Sequence, residues 1–189
     1  LIHAYWRLGV RMMGLTWNHR NAFADGLGVE DDHGLTGLGE ELVDLLAELG
    51  VMLDLSHASP RTFDDVLARA PDATVLVSHA CCRGLYDTPR NLTDDQLRAI
   101  AERGGVIGMM ALPLTVGPDE PTISRFADHV DYAVDVAGID HVGLGGDFIQ
   151  QVARAKNVTE FRGGLFPPGM QPDDAIEGLE GPSGYPAVV

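Results

Sequence analysis

Three short apolar runs in this chain end directly in a side chain that can bind a metal or carry a proton. Val51-Met-Leu-Asp-Leu-Ser56 leads into His57, Thr74-Val-Leu-Val-Ser78 into His79, and His141-Val-Gly-Leu-Gly-Gly146 into Asp147. Neutral imidazole nitrogen and carboxylate oxygen are zinc donors, and rigid strand ends can hold them at the fixed short distances that zinc requires. The same residue types serve Ser-His-Asp nucleophilic catalysis. That use lacks a Gly-x-Ser-x-Gly elbow here and leaves the second histidine idle. Asp54 sits inside the first run, where it could orient a ligand histidine. Arg90 follows Pro89 in the segment after His79 and reads either as a surface charge or as a clamp for a carboxylate. His3, His33 and His129 read as surface residues, and His141 lies at the opposite end of its strand.

These residues need elements to position them, and the chain supplies two alternating patterns. Strands are expected at 9–16, 51–55, 74–78, 106–110 and 141–145. Helices are expected between them. Leu38, Leu42, Leu45, Leu46 and Leu49 recur at i, i+3, i+4 on one face of a helix over 37–49. Ser59-Pro60 provides an N-cap and a first-turn proline for a helix reaching about residue 69. Thr93-Asp-Asp-Gln96 is a capping box that opens a helix to 103, stopped by Gly104-Gly105, and a fourth helix covers 122–137. Strict alternation with near-continuous apolar strands implies one α/β domain over 1–189 with a parallel sheet. Residues 150–189 read mostly as a loop tail. No phosphate-cradling glycine loop favours an open doubly wound sheet. A closed (β/α)8 barrel needs roughly 250 residues, so the barrel reading is a partial one.

Composition narrows the function classes. Of 189 residues, 45% are hydrophobic and 22% charged, enough to bury a core. A net charge of −15 disfavours nucleic acid and anionic membranes, and no apolar run is long enough to span a bilayer. Cys81 and Cys82 are adjacent and form no disulfide framework, which points to ordinary buried thiols in a reducing, cytoplasmic setting.

His33-Gly-Leu-Thr-Gly-Leu-Gly39, Leu53-Asp-Leu-Ser-His-Ala-Ser59, Val77-Ser-His-Ala80, Arg90-Asn-Leu-Thr-Asp-Asp95 and Val142-Gly-Leu-Gly-Gly-Asp-Phe148 occur in this order. Together they resemble the membrane (renal) dipeptidase family, zinc-dependent dipeptidases of the amidohydrolase-like barrel class. The likeness runs from about Leu8 to Phe148 and resumes at Gly178-Leu-Glu180 and Gly184-Tyr-Pro186. It implies a pair of zinc ions at a barrel mouth, with His57 and His79 as the histidines of one ion. It also implies Asp147 as the aspartate beside the metals that manages the proton, and Arg90 as the arginine that holds the carboxylate of a dipeptide substrate. A hydroxide bridging the metals would attack the scissile carbonyl.

The sequence departs from the family pattern in several places. The family's His-x-Asp pair and its metal-bridging glutamate have no counterpart in these residues, so ligands mainly for one zinc are expected. A partial barrel lacking N-terminal strands and C-terminal helices follows from the same comparison. A substrate-contacting histidine in a Leu-Thr-His motif is replaced by Leu15-Thr-Trp17, which leaves Trp17 or His19 for that task. Asp-Phe-Asp-Gly becomes Asp147-Phe-Ile-Gln150. Three alternatives stay open: a dipeptidase, an inactive or structural fragment of one, and another metal-dependent amidohydrolase. Uncovered strand edges and apolar helix faces would favour self-association into a homo-oligomer.

Overall fold

A computed structural model describes residues 1–117, 119, 121–150, 155–156, 170–171 and 173–188. Five strands alternate with helices, as the periodicity predicts. The order is α1 (Ile2–Arg7), β1 (Met12–Gly14), α2 (Gly37–Glu48), β2 (Met52–Asp54), α3 (Pro60–Arg69), β3 (Val75–Ala80), α4 (Asp94–Glu102), β4 (Ile107–Met109), α5 (Pro113–Val116), α6 (Ile123–Ala137) and β5 (Val142–Leu144). The described residues form two compact units: 1–78 with 99–106, and 79–98 with 107–189.

In the first unit β1, β2 and β3 run parallel in that order. Met13 pairs with Leu53, and Leu53 with Val75. Beyond β2 the ladder continues, with Leu55 N–H donating to the Leu76 carbonyl at 2.8 Å. Its core is apolar: Val43 and Leu46 from α2, Leu53 from β2, Phe63 and Val66 from α3, and Val75 from β3 are at most 1% exposed. In the second unit Met110 N–H bonds the Ala80 carbonyl at 2.9 Å, and β4 pairs with β5 in parallel register, Gly108 opposite Gly143. Ile107, Met109 and Phe126 are completely buried there.

Four helices begin as the sequence dictates. Thr36, Ser59 and Thr122 each accept a hydrogen bond from the N–H three residues on, at 3.0–3.1 Å. The Thr93–Gln96 box is reciprocal, with Gln96 N–H on the Thr93 hydroxyl at 3.2 Å and Thr93 N–H on Gln96 Oε1 at 3.0 Å. Four strands are shorter than the apolar runs that announce them, whereas β3 runs on through His79 to Ala80. Part of the expected strand at 9–16 follows helix α1, and the short α5 has no counterpart in the periodicity.

One expectation is corrected. His129 is not on the surface: it is fully buried, with its Nδ1 accepting from Cys82 N–H and its Nε2 against the Val116 carbonyl, both at 3.1 Å. Burial pushes its pKa down, so it stays a neutral core imidazole. Much of the tail lies outside the described residues, but Ile176 and Leu179 are buried core residues and Pro182–Ala187 forms a 3-10 helix. Cys81 and Cys82 are free and buried, their thiols pushed up to about 11 and about 12 by desolvation, so neither is reactive at neutral pH.

Candidate metal and substrate site

β2 carries the chain to His57 through a polar clamp. Asp54 Oδ1 accepts from Ser56 N–H and from Ser78 N–H, each at 3.0 Å, and Asp54 Oδ2 accepts from the Ser78 hydroxyl at 2.5 Å. The Ser56 and Ser78 hydroxyls meet at 3.0 Å. One carboxylate thereby cross-links β2 and β3 at the residues immediately before the two strand-end histidines. The sequence offers Asp54 as a partner that could orient a ligand histidine, and in the structure its carboxylate holds the serines that immediately precede the two histidines.

His57 itself has left-handed backbone geometry, φ 65°. Its carbonyl accepts from Leu27 N–H at 3.0 Å and from the Thr16 hydroxyl at 3.2 Å, and its Nδ1 lies 2.8 Å from Asn18 Oδ1. Trp17 presents its ring edge-on to the imidazole with centroids 6.1 Å apart, and remains 41% exposed. His19 is exposed.

In the second unit the parallel ladder extends past β5. Gly145 N–H donates to the Met109 carbonyl at 3.0 Å and Ala111 N–H to the Gly146 carbonyl at 3.2 Å. Those bonds carry the chain to Asp147, which is also left-handed, φ 51°. Gly146 is closely packed: a Cβ there would lie 2.4 Å from the Phe148 ring and 2.5 Å from the Tyr185 hydroxyl. Asp147 Oδ2 lies 3.9 Å from His79 Nε2, too long for a hydrogen bond. Two donors at that spacing can both bond one cation at about 2.0–2.2 Å. Desolvation raises the Asp147 pKa and Arg90 opposes the rise. Arg90 is 7% exposed, so it is not a surface charge. Its planar guanidinium offers a fork of donors that suits a carboxylate.

The structure therefore brings His79 and Asp147 together, with Arg90 close enough to act on the Asp147 carboxyl, and it sets His57 in its own scaffold in the first unit. Among the described residues no group of three or more His, Cys, Asp or Glu forms a ready metal cage. Fit to a metal rests on donor chemistry: the His57 imidazole on a left-handed backbone after β2, the His79 imidazole within β3, and the Asp147 oxygen near His79, all donor types that suit zinc. His57 and Asp147 are the only non-glycine residues with positive φ among those described. Strain of this kind costs about 1–3 kcal/mol per residue and clusters at functional positions. Asn18 and Tyr185 escaped the sequence reading. Asn18 was legible only as a neighbour of the Leu15-Thr16-Trp17 departure, and Tyr185 as part of the returning likeness in the tail.

Residues 1–163 match the family model for membrane dipeptidase, peptidase family M19. The chain belongs to the membrane dipeptidase family. It is 38% identical over 155 residues to an uncharacterized dipeptidase of Schizosaccharomyces pombe, and 37% identical over 145 residues to the dipeptidase verJ of Clonostachys rogersoniana. Those alignments cover 78% and 76% of this chain but 37% of each relative, so the chain spans little more than a third of their length. It is similar in structure to an amidohydrolase from Pseudomonas aeruginosa, with TM-score 0.82 and 27% identity over 99% of this chain and 58% of that one. A metallo peptidase from Rhodobacter sphaeroides, solved with a phosphinate mimic of the dipeptide L-Ala-D-Ala, aligns with TM-score 0.73 and 31% identity over 99% of this chain and 50% of that one. The M19 neighbours are barrel proteins, and the parallel α/β arrangement is a part of such a barrel. No helix among the described residues is long and apolar enough to cross a membrane.

Proposed function

We propose that this chain belongs to a zinc-dependent dipeptidase, with His57 and His79 as metal ligands, Asp147 as the proton carrier and Arg90 as the carboxylate clamp. The observation that supports it most is the coincidence of strain and chemistry. The two left-handed non-glycine residues among those described, His57 and Asp147, are two of the four positions marked by their residue type and place in the sequence.

Zinc bound by these donors would polarise the scissile carbonyl and make water nucleophilic at neutral pH. The chain's own residues do the rest. Arg90 holds the substrate carboxylate through its guanidinium, which limits substrates to short peptides with a free C-terminus near the scissile bond. Asp147 Oδ2 accepts the proton of the attacking water and delivers it to the departing amine nitrogen. Desolvation around Asp147 favours the protonated form, so the carboxyl can retain that proton between the two transfers. The two free buried thiols suit a reducing, cytoplasmic setting.

A second reading is favoured by the amidohydrolase neighbour: hydrolysis of an amide that is not a dipeptide. Carboxylate dependence separates the two. The full-length protein should cleave dipeptides and leave carboxyl-amidated dipeptides nearly untouched, and Arg90→Gln should reduce kcat/KM for dipeptides by about 100-fold. Chelation should remove activity, and zinc should restore it. Equal cleavage of free and amidated dipeptides would overturn the clamp and favour the second reading.

A further inference from the structure

Asn18 has no role in the chemistry assigned so far, yet its amide meets the imidazole of His57 directly. We propose that Asn18 is a positioning residue that fixes the tautomer and direction of His57 as a metal ligand. The inference rests on the proposed ligand role of His57.

The argument starts from the atoms. Asn18 Oδ1 is 2.8 Å from His57 Nδ1. An amide oxygen only accepts, so Nδ1 carries the proton and Nε2 keeps its lone pair, the form a metal requires. The reversed amide would donate its N–H to a bare Nδ1 and put the proton on Nε2, the nitrogen that must bind.

The amide is itself held in place. Gly28 N–H donates to the Asn18 carbonyl at 2.9 Å, while Leu27 N–H donates to the His57 carbonyl at 3.0 Å. Two consecutive amides of one strap thus tie Asn18 and His57 to each other. The strap can lie this close only because positions 26 and 28 are glycines. A Cβ on Gly26 would sit 2.1 Å from the Trp17 carbonyl oxygen and 2.6 Å from the Asn18 carbonyl carbon, and one on Gly28 would sit 2.9 Å from the Asn18 oxygen. The Thr16 hydroxyl adds a third hold on the His57 carbonyl at 3.2 Å. Residues 16–18 and 26–28 therefore fix the backbone of His57 from two sides, and the Asn18 amide orients its ring.

His129 supplies a contrast within the same chain. Its Nδ1 accepts from a backbone N–H and its Nε2 bonds a carbonyl, so both nitrogens serve the fold. At His57 the bond to the Asn18 oxygen puts the proton on Nδ1 and the lone pair on Nε2.

The test measures ring-nitrogen shifts by NMR in the full-length, metal-stripped protein, together with zinc affinity by chelator competition. His57 in the wild type should be the Nδ1–H tautomer. Asn18→Leu, which cannot accept, should weaken zinc binding by about 10–100-fold, whereas Asn18→Asp keeps the acceptor and should stay within a few-fold of wild type. An Nε2–H tautomer at wild-type His57, or zinc binding by Asn18→Leu equal to wild type, overturns the proposal. If Asn18→Leu does not fold, the wild-type tautomer alone decides. His57→Ala separates the two levels. Unchanged zinc binding in His57→Ala overturns the ligand reading itself, whereas loss there with Asn18→Leu intact overturns only the role of Asn18.

Discussion

His57 and Asp147 share a left-handed backbone at the end of a parallel strand, but their surroundings are built from different materials. Around His57 the supports are mostly hydrogen bonds, with the Trp17 ring edge-on beside the imidazole. The Asp54 carboxylate clamps the serines, Leu27 and Thr16 hold the carbonyl, and Asn18 holds the ring. Around Asp147 the backbone is carried by Gly145 and Gly146 against β4, with the Phe148 and Tyr185 rings 5.6 Å apart beside them, and desolvation dominates the carboxyl. A metal ligand must point one way, and directional hydrogen bonds fix direction. A proton carrier must hold its proton with a tuned affinity, and removing water tunes affinity. The two strand ends thus differ in the sense that the roles proposed for them would require.

The largest effect should come from the chemistry at the second of these ends. Asp147→Asn preserves shape and removes the proton acceptor, so kcat/KM of the full-length enzyme should fall by about 10²–10⁴-fold in steady-state assays with a dipeptide. A loss below tenfold would take Asp147 out of proton handling. At the first end the scaffold is the vulnerable part. Asp54→Ala leaves the N–H groups of Ser56 and Ser78 without their acceptor and should cost about 2–4 kcal/mol in urea denaturation, with Asp54→Asn less affected. Gly146→Ala tests the apolar scaffold. Its Cβ would meet only the outer atoms of two rings, which can yield, so the cost should be smaller, about 1–3 kcal/mol. If Gly146→Ala proves more damaging than Asp54→Ala, the contrast between a polar and an apolar strand end is wrong.

How far the sequence reveals this arrangement follows from the range of each interaction. Helix starts were readable because a cap acts over three residues: Ser59, Thr93 and Thr122 each bond a group within the same short stretch of chain. Strand ends were readable because an apolar run stops where a polar residue begins, which placed His57, His79 and Asp147. Partners distant in sequence were not readable. Asn18 lies 39 residues from His57, and Ser78 lies 24 from Asp54. His129 was misjudged for the same reason, since its partners Cys82 and Val116 belong to other elements. Arg90 could not be told from a surface charge until its burial was known.

Acid separates the two units by a smaller effect with a definite sign in each. In the first unit the Arg20 guanidinium and the His33 N–H hold the buried Asp25 carboxyl at about 2, below its ordinary 3.8. A depressed carboxyl stabilises the fold above its ordinary pKa, and the contribution disappears as pH falls from 3.8 through about 2. Arg20 is half exposed, so solvent screening keeps this contribution small. In the second unit burial depresses His129 below its ordinary 6.5, so the neutral folded form loses stability as soon as pH drops below that value. Protection of the Cys82 amide, which donates to His129, should therefore weaken in mild acid. Protection of the His33 amide, which donates to Asp25, should persist until the pH falls below about 4. Hydrogen exchange corrected for intrinsic rates reads both amides in one experiment, and Asp25→Asn should abolish only the lower transition. Loss of both amides in one shared window would mean that the two units respond to acid as one.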